Sequence, residues 1–321
     1  MRIGKLGNGL LESLILSKFK ITRKEVLEQP KIGADCARVR LDDGIAVLST
    51  DPITAASTHL GYLTVHVNCN DAAAAGAEPI GLLVTLLAPP ETEQYELERI
   101  AGDIQEAASA INVNIIGGHT EITSAVTRII TSSTVIAQPV AKPISNTADI
   151  GDYIIMTKTA GIEGTAVIAY DLEHKLTDLS QEELQQAKDM LKEISVVKEG
   201  IFAAKNGATL MHDVTEGGIL GAIWEAAYNA GKGAEVYINE IDIHPVTKKI
   251  CSMLNIDPYR LLSSGCMLIV CKNGNEMVQG LRDIGVNAKI IGRITDISEG
   301  VRTAQGEEIT APQADELYKV V

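Results

Sequence analysis

Three aspartates in the first quarter of the chain stand where oxygen ligands for a metal ion could be placed. Asp35 follows a Gly-Ala pair, Asp51 follows an apolar run and precedes a proline, and Asp71 precedes an alanine-rich stretch. Hard divalent cations such as magnesium prefer oxygen ligands and usually carry substrate phosphates with them. Scattered carboxylates at element ends therefore favour a metal-phosphate site over a structural metal. Taken singly, each aspartate is more typical of a helix N-cap or a turn.

A later polar segment, Gly117-Gly118-His119-Thr120-Glu121, is expected to join these aspartates. The two glycines let the backbone turn sharply or approach a ligand closely. A lone histidine is more often a surface or satisfied core residue than a functional one. The position of His119 directly after the double glycine sets it above the other histidines of the chain.

The segment at residues 212–218, His-Asp-Val-Thr-Glu-Gly-Gly, lies between a predicted strand and a predicted helix. Asp213 and Glu216 are three residues apart, so they could form a capping box at the helix start. A strand-to-helix turn with two glycines and free N–H groups could equally hold an anion or aim a carboxylate into a cleft. The sequence leaves both interpretations open.

The charge balance excludes one class of partner. The chain has 28 basic and 42 acidic residues, which gives a net charge of −14. Such a charge repels the phosphate backbone of a nucleic acid, so no nucleic-acid partner is expected. The same charge repels a polyphosphate. Any nucleotide site must therefore depend on metal ions and backbone N–H groups for attraction.

The cysteines and the apolar runs indicate a cytoplasmic protein. Five cysteines are an odd number with no Cys-x-x-Cys pair, which argues against a disulfide framework and against a zinc site. The apolar run at residues 10–16 is broken by Glu12 and lacks a cleavage site for a leader. No stretch approaches the roughly 20 apolar residues of a membrane span, so no membrane partner is expected.

Length and periodicity predict a two-domain α/β chain. With 321 residues the chain is nearer two domains than one. Because only 3% of its residues are aromatic, the core must be built mainly from Ala, Val, Ile and Leu. Apolar residues at helical spacing predict a helix from Tyr95 onward. The other elements predicted in this half are strands at 45–50, 80–87, 113–116 and 128–136 and a helix at 71–77, with the third strand ending at the double glycine.

The domain boundary is placed in the polar stretch at residues 142–149, which gives domains at 1–145 and 146–321. Ser180 and Glu183 form a capping-box pattern ahead of a helix. Gly231 is a plausible stop for the helix that follows residues 212–218. The second half is further predicted to contain strands at 153–158, 208–211, 235–238, 267–271 and 289–291 and a helix at 166–170.

Five segments occur here in the order found in the aminoimidazole-ribonucleotide (AIR) synthetase superfamily. They begin at Gly33, Ser49, Asn70, Gly117 and His212 and together span most of the chain. The chain resembles this superfamily and, within it, the HypE family of hydrogenase-maturation proteins. The resemblance implies a two-domain PurM-like α/β fold. Its N-terminal sheet-plus-helices domain would dimerise and bind ATP, and its C-terminal α/β domain would cover the cleft.

The resemblance also implies roles for individual residues, with ATP and Mg²⁺ in a groove at the interface of a homodimer. The implied magnesium ligands are Asp35, Asp51 and Asp71, with Glu121 as a substitute ligand. The implied nucleotide contacts are Asp35, Asn68, Asp71, Gly117, Gly118 and Thr120. The catalytic residues are expected to be Asp213, Glu216 and His119. Metals then offset the charge of the transferring group while the protein positions the reactants.

Two departures from the family pattern shape the expected function. Ala34 and His119 stand where many relatives have acidic residues, so the site could bind fewer ions. No cysteine follows Cys271, whereas HypE ends in a cysteine that receives a carbamoyl group. The expected function is therefore an ATP-dependent enzyme that activates or phosphorylates an amide-like or acidic oxygen of a separate small-molecule or protein acceptor. Maturation of a hydrogenase or another metalloenzyme is the expected setting.

Two alternatives share the same fold. One is a small-molecule kinase that resembles thiamine-phosphate kinase, which has the early aspartates in common. The other is a regulatory dimer without catalysis that binds a nucleotide and docks on a partner, an interpretation favoured by Ala34 and His119.

Overall fold

The computed structural model describes residues 8–9, 27, 32, 36–41, 44–54, 58–141, 144–312 and 314–321. The first half contains a five-stranded sheet of order β1-β2-β5-β3-β4. The β3–β4 pair is parallel, and the other pairs are antiparallel. The strands are β1 (Ala37–Leu41), β2 (Gly44–Ile53), β3 (Ala77–Ala88), β4 (Asn114–Ile122) and β5 (Ile130–Pro139), and the helices are α1 (Leu60–Ala74) and α2 (Gln94–Ala110).

Helix α1 lies on the sheet and is buried along almost its whole length. A helix buried on every side has no amphipathic stripe, so its apolar residues show no helical period. Its contact with α2 is close, because a Cβ atom at Gly61 would lie 2.5 Å from the carbonyl oxygen of Ile100. The helix prediction for residues 71–77 was therefore wrong in its bounds. Asp71 lies in the last turn of α1 and does not precede a helix.

Strand β4 does not end at the double glycine, so the predicted turn at that point was wrong. Gly117 and Gly118 lie in the middle of β4, which continues to Ile122. A Cβ atom at position 118 would lie 1.9 Å from the carbonyl oxygen of Val84 on β3. Glycine at this position therefore allows the two strands to approach each other closely.

The second half is built on a six-stranded sheet of order β11-β8-β10-β6-β9-β7. Its strands are β6 (Tyr153–Thr157), β7 (Ala208–Asp213), β8 (Gly233–Val236), β9 (Met267–Cys271), β10 (Ala288–Thr295) and β11 (Val301–Thr303). Its helices are α3 (Ile162–Asp171), α4 (Gln181–Asp189), α5 (Val197–Lys205), α6 (Gly218–Ala230), α7 (Pro245–Leu254) and α8 (Gly274–Asp283). Short 3-10 turns occur at Glu173–Lys175, Met190–Glu193, Ile238–Glu240, Ile297–Glu299 and Glu316–Lys319.

This second sheet is covered on both faces. Every residue of β9 is buried, and successive side chains enter two different hydrophobic clusters. Met267, Ile269 and Cys271 join the cluster that contains the first half of the chain, whereas Leu268 and Val270 join a cluster with α6. A strand buried on both faces needs a continuous apolar run, which is what the sequence of β9 shows.

The two halves of the chain share one core. Gly200 on α5 lies against α1, and a Cβ atom there would meet the carbonyl oxygen of Ala73 at 2.7 Å. The buried amide of Asn70 connects α1 to the second half: its Nδ2 donates to the carbonyl of Ile194 at 2.9 Å, and its Oδ1 accepts from the N–H of Val196 at 2.8 Å. The side of α1 opposite the sheet therefore faces the second half.

Lys158, in the turn after β6, fixes the segment that receives Asn70. Its Nζ lies 2.8 Å from Glu199 Oε1 and donates to the carbonyls of Glu193 at 2.9 Å and Ser195 at 2.6 Å. Lys158 has a positive φ of 53°, which is uncommon for a residue with a side chain. The ammonium group thus holds together the turn after β6 and the start of α5.

Several predictions about the elements are confirmed. The helix expected from Tyr95 is α2, and Ser180 and Glu183 form the capping box at the start of α4. Helix α6 ends at Gly231, which has a left-handed conformation. No helix among the described residues is long and apolar enough to cross a membrane.

Candidate active site

Two of the predicted metal ligands lie on elements that touch each other. Ser49 and Asp51 alternate with outward-facing residues on β2, so both side chains lie on the face of the sheet toward α1. The Ser49 hydroxyl donates to Asp71 Oδ2 at 2.5 Å, and the backbone N–H of Asp51 donates to Asn68 Oδ1 at 2.9 Å. Two hydrogen bonds between β2 and α1 therefore place the carboxylates of Asp51 and Asp71 on facing elements.

The donor set fits a magnesium ion that arrives with a nucleotide. Magnesium is commonly bound by one or two carboxylates together with substrate phosphates and water, not by a cage made only of protein ligands. Asp51 and Asp71 supply two carboxylates. Among the described residues no group of three or more His, Cys, Asp or Glu side chains is arranged to hold a metal ion. Asp35, the third predicted ligand, lies outside the described residues.

The predicted site residues of β4 lie three strands away from β2 in the same sheet. The register places Asp51, Ser133, Val84 and Gly118 in one row across four neighbouring strands. At about 4.8 Å per strand, Asp51 and Gly118 are separated by about 14 Å. Thr120 is level with Leu86 of β3. Gly118 and Thr120 both lie on the face of the sheet that carries α1.

His119 and Glu121 lie on the opposite face of the sheet. They are level with Thr85 and Leu87 of β3, and their side chains are 3.6 Å apart at His119 Nε2 and Glu121 Oε2. Both are exposed. Within one chain, His119 and Glu121 do not lie beside Asp51. Their roles in metal binding and catalysis therefore stay predictions.

The turn between β7 and α6 does not contain the capping box that the spacing of Asp213 and Glu216 allowed. Helix α6 begins at Gly218, and its N-cap is Gly217 with a positive φ of 88°. Gly217 instead donates its N–H to Asp315 Oδ2 at 2.8 Å. A carboxylate of the chain itself therefore accepts a hydrogen bond from the N–H of this turn.

Asp315 ties three separate segments together. Besides the N–H of Gly217, its carboxylate accepts the N–H of Leu262 at 3.1 Å and that of Leu317 at 2.8 Å. The side chain is buried, with 2% of its surface exposed. Three backbone donors on one buried carboxylate fix the β7–α6 turn against the loop that precedes β9.

Glu216 is contacted from the same segment as Asp315. The hydroxyl of Tyr318 donates to Glu216 Oε1 at 2.7 Å. Asp213, the second carboxylate of the motif, is buried at the end of β7. The neighbouring His212 contacts Glu225 on α6, with Nε2 and Oε2 3.1 Å apart. His212 thus helps to join β7 to α6.

A fourth carboxyl group, Glu163, completes what we call the carboxyl cluster: Glu163, Asp213, Glu216 and Asp315. Burial raises the pKa of Glu163 to about 7, against the effect of a hydrogen bond with Ser264, and the negative charges of the other three members add to the rise. Burial likewise raises the pKa of Asp315 to about 6, although its three backbone donors oppose this. Glu163 therefore retains its proton in part of the molecules near neutral pH.

The raised pKa of Glu163 predicts a pH-dependent stability. The group has an ordinary value of 4.5 and a folded value of about 7, so its stabilising effect is complete below 4.5 and is lost as the pH rises to about 7. Glu163→Gln removes this charge, so we expect the variant to be more stable than wild type at pH 8, by up to about 3 kcal/mol. The difference should shrink to less than about 1 kcal/mol at pH 5. Urea unfolding between pH 5 and pH 8 measures it.

Glu182→Gln, on the exposed side of α4, is the matched control and should leave the curve unchanged. Parallel stability curves for wild type and Glu163→Gln would show that Glu163 is not the titrating group.

Glu163, Asp315 and Tyr318 were not identified from the sequence as functional residues. Glu163 precedes the helix predicted at residues 166–170, and no motif in the sequence marks it as functional. Asp315 lies 98 residues from its partner Gly217, and Tyr318 lies 102 residues from Glu216. No local motif signals contacts over such separations. The only signal in the sequence was the Gly217-Gly218 turn, whose N–H groups could hold an anion.

Two α/β halves with a shared core, and carboxylates held between a sheet and its covering helix, define a two-domain protein of the PurM-like class. The chain belongs to the AIR synthase related family. The model of the N-terminal domain of that family matches residues 33–138, and the model of the C-terminal domain matches residues 149–304. The predicted superfamily and the predicted fold are confirmed.

Curated relatives include maturation proteins and a kinase. A hydrogenase expression/formation protein of Methanocaldococcus jannaschii is 27% identical over 99% of this chain and 97% of its own length. A carbamoyl dehydratase HypE of Rhodobacter capsulatus is 23% identical, with 94% and 91% covered. A thiamine-monophosphate kinase of Buchnera aphidicola is 26% identical, with 92% and 94% covered. These names agree with the predicted class of enzyme.

Solved structures show the same fold at low identity. AaThiL complexed with AMPPCP and TMP has a TM-score of 0.78 at 18% identity, with 98% of both chains covered. The HypE–HypF complex gives 0.76 at 20% identity, with 95% of this chain and 99% of that one covered. HypE in complex with ATP gives 0.70 at 20% identity, with 96% and 95% covered.

Proposed function

We propose that this chain is an ATP-dependent enzyme that activates or phosphorylates an amide-like or acidic oxygen of a separate acceptor during maturation of a hydrogenase or another metalloenzyme. The observation that carries the proposal is the pairing of β2 with α1 through Ser49–Asp71 and Asp51–Asn68. It holds two carboxylates on facing elements where a cation that bridges phosphates could bind. Relatives named as carbamoyl dehydratases, and a relative solved with ATP, support the nucleotide and the reaction class.

Asp51 and Asp71 would hold the metal, with Asp35 as a third ligand. Mg²⁺ offsets the charge of the phosphates when it is bound. The Ser49 hydroxyl orients the Asp71 carboxylate by donating to its Oδ2. Asn68 fixes the backbone of Asp51. A chain with a net charge of −14 has little other attraction for a polyphosphate, so these ligands carry most of the binding.

Glu216 and Asp213 are proposed to act from the second half. The Glu216 carboxylate would accept a proton from the acceptor while the acceptor oxygen attacks the γ-phosphorus. The proton that Glu163 retains in part of the molecules near neutral pH reduces the negative charge of the cluster and therefore its repulsion of the incoming phosphates.

The test is stabilisation by nucleotide followed by product analysis. Mg-ATP at about 100 times its Kd should stabilise the folded protein by about 2.7 kcal/mol, and ATP without magnesium should stabilise it much less. ADP should then be released when a carbamoylated or otherwise amide-bearing acceptor is added. A melting temperature indifferent to Mg-ATP at millimolar concentration contradicts the proposal.

A small-molecule kinase is the second candidate, because a thiamine-monophosphate kinase matches nearly the whole chain at 26% identity. The two candidates differ in the acceptor. ADP release that depends on thiamine monophosphate, with no response to amide-bearing acceptors, would favour the kinase.

We further propose that the active form is a homodimer joined through the first sheet. All nine residues of the edge strand β4 are exposed, and the edge carries apolar side chains. Ile116 and Ile122 are each 53% exposed, and Ile80 and Leu83 on β3 are 45% and 42% exposed. An exposed edge strand with apolar side chains is a surface that proteins normally cover. A second copy would also bring another set of β4 residues, including His119 and Glu121, to the interface.

Ile116→Lys is expected to weaken this dimer by about 2 kcal/mol or more, roughly 30-fold in Kd, because it places a charge in an apolar contact. Sedimentation equilibrium measures the change. Ile297→Lys, at a position 64% exposed in the second half, is the control and should dimerise as wild type does. Identical association of both variants would place the interface elsewhere.

A further inference from the structure

The side-chain amide of Asn68 on α1 is used at both ends by the protein itself. Its Oδ1 accepts the N–H of Asp51 at 2.9 Å. Its Nδ2 donates to the carbonyl of Thr64 at 3.2 Å and, over a longer distance of 3.4 Å, to the carbonyl of Asp51. Asn68 is 0% exposed. This residue, which the family resemblance implies as a nucleotide contact, is therefore placed to hold strand β2.

The backbone at Asp51 needs such a contact because of where β1 lies. In an antiparallel sheet the N–H and C=O groups of a strand are directed alternately to its two neighbours. The described part of β1 pairs with residues 44–48 of β2 and not with Asp51. The amide of Asn68 offers one acceptor and one donor side, as a residue of a neighbouring strand would. It thus fixes the backbone from which the Asp51 carboxylate extends.

The amide of Asn68 is in turn fixed from β5. Ser133 is the partner of Asp51 in the β2–β5 register, and its hydroxyl donates to the carbonyl of Thr64 at 2.8 Å. The same carbonyl accepts from Nδ2 of Asn68, so the two side chains meet on one oxygen. The hydroxyl of Thr64 also lies 2.5 Å from that of Thr131 on β5. These buried contacts hold α1 against β5 beside Asp51.

We infer that Ser133 is a positioning residue for Asp51. Its hydroxyl fixes the carbonyl of Thr64, and this carbonyl orients the amide of Asn68. The amide then fixes the N–H of Asp51. The inference rests on the function proposed above, in which Asp51 binds magnesium. Loss of a group that orients a metal ligand typically costs roughly 10- to 100-fold in metal affinity or activity. Ser133 acts through an intermediate residue, so an effect at the lower end of that range is expected.

The magnesium dependence of turnover tests the inference. Ser133→Ala should raise the Mg²⁺ concentration for half-maximal ADP release by roughly 10-fold, while KM for ATP at saturating Mg²⁺ stays within about twofold. In the background of Asn68→Ala, the change Ser133→Ala should cause no further rise, because Ser133 acts only through Asn68. Ser132→Ala, on the opposite face of β5, is the control and should keep the wild-type requirement. An unchanged requirement in Ser133→Ala, or rises that multiply in the double variant, overturns the inference.

Amide hydrogen exchange separates positioning from a general loss of stability and needs no turnover. In Ser133→Ala the N–H of Asp51 should exchange at least about 10-fold faster, whereas the N–H of Val47 should keep its rate. Val47 lies on the same strand, between β1 and β5. Equal acceleration at both amides would show that Ser133 supports only the global fold and overturns the inference. If wild type releases no ADP, the proposed function fails, and selective acceleration at Asp51 still supports the hold of Ser133 on this backbone.

Discussion

Asp71→Asn is expected to lower ATP turnover by at least about 100-fold, because an amide replaces a carboxylate that we propose binds the metal. The fold should be unaffected. The amide oxygen can still accept from the Ser49 hydroxyl, which donates to Asp71 Oδ2 in the native chain. Release of ADP under saturating Mg-ATP measures the effect, and calorimetry measures the accompanying loss of nucleotide affinity.

Asp178→Asn is the matched control, because it removes an exposed carboxylate from the second half and should retain full turnover. Asp51→Asn should resemble Asp71→Asn if both carboxylates bind the same cation. A variant at Asp71 with wild-type turnover and wild-type affinity for Mg-ATP would falsify the assignment of this carboxylate.

Lys158→Met is expected to destabilise the folded chain by about 3–5 kcal/mol, because it leaves the buried carboxylate of Glu199 without its counter-charge. It also removes the donor to the carbonyls of Glu193 and Ser195. For a chain of this size the loss corresponds to roughly 10 °C in Tm. Thermal and urea unfolding measure it.

Lys198→Met, at an exposed position on α5, is the control and should change the free energy of unfolding by no more than about 0.5 kcal/mol. The double variant Lys158→Met with Glu199→Met should recover part of the loss, since paired apolar groups avoid the cost of a buried charge. Equal stability of Lys158→Met and wild type would show that the ion pair contributes nothing.

The sequence allowed prediction of elements that have one buried side. Helix α2 shows its apolar stripe at helical spacing, and α4 begins with the Ser180–Glu183 capping box. Helix α1 was missed over most of its length because it is buried on all sides, so neither periodicity nor charge marked where it begins. Strand β4 was cut short because a double glycine usually indicates a turn. Here Gly118 is required by the close approach of Val84 across the sheet.

For the site as well, features that are local in the sequence could be predicted, whereas contacts between distant residues could not. The motif around Asp71 could be recognised from the sequence, but its contact with Ser49 depends on how α1 crosses β2. The carboxyl cluster could not be assembled from the sequence. Its members come from the start of α3, the end of β7, the β7–α6 turn and the segment that follows β11, and only the tertiary fold brings these together.

Gly200 limits how this scaffold could be recombined. Its backbone lies so near Ala73 that any larger residue would collide with the carbonyl of the first half. A chimera that exchanges one half of the chain for that of a kinase relative would therefore need a glycine at position 200 and a small residue at position 73. When acceptor choice is engineered in this way, the protein that supplies the new half should be chosen by its residues at these two positions before its catalytic side chains are compared.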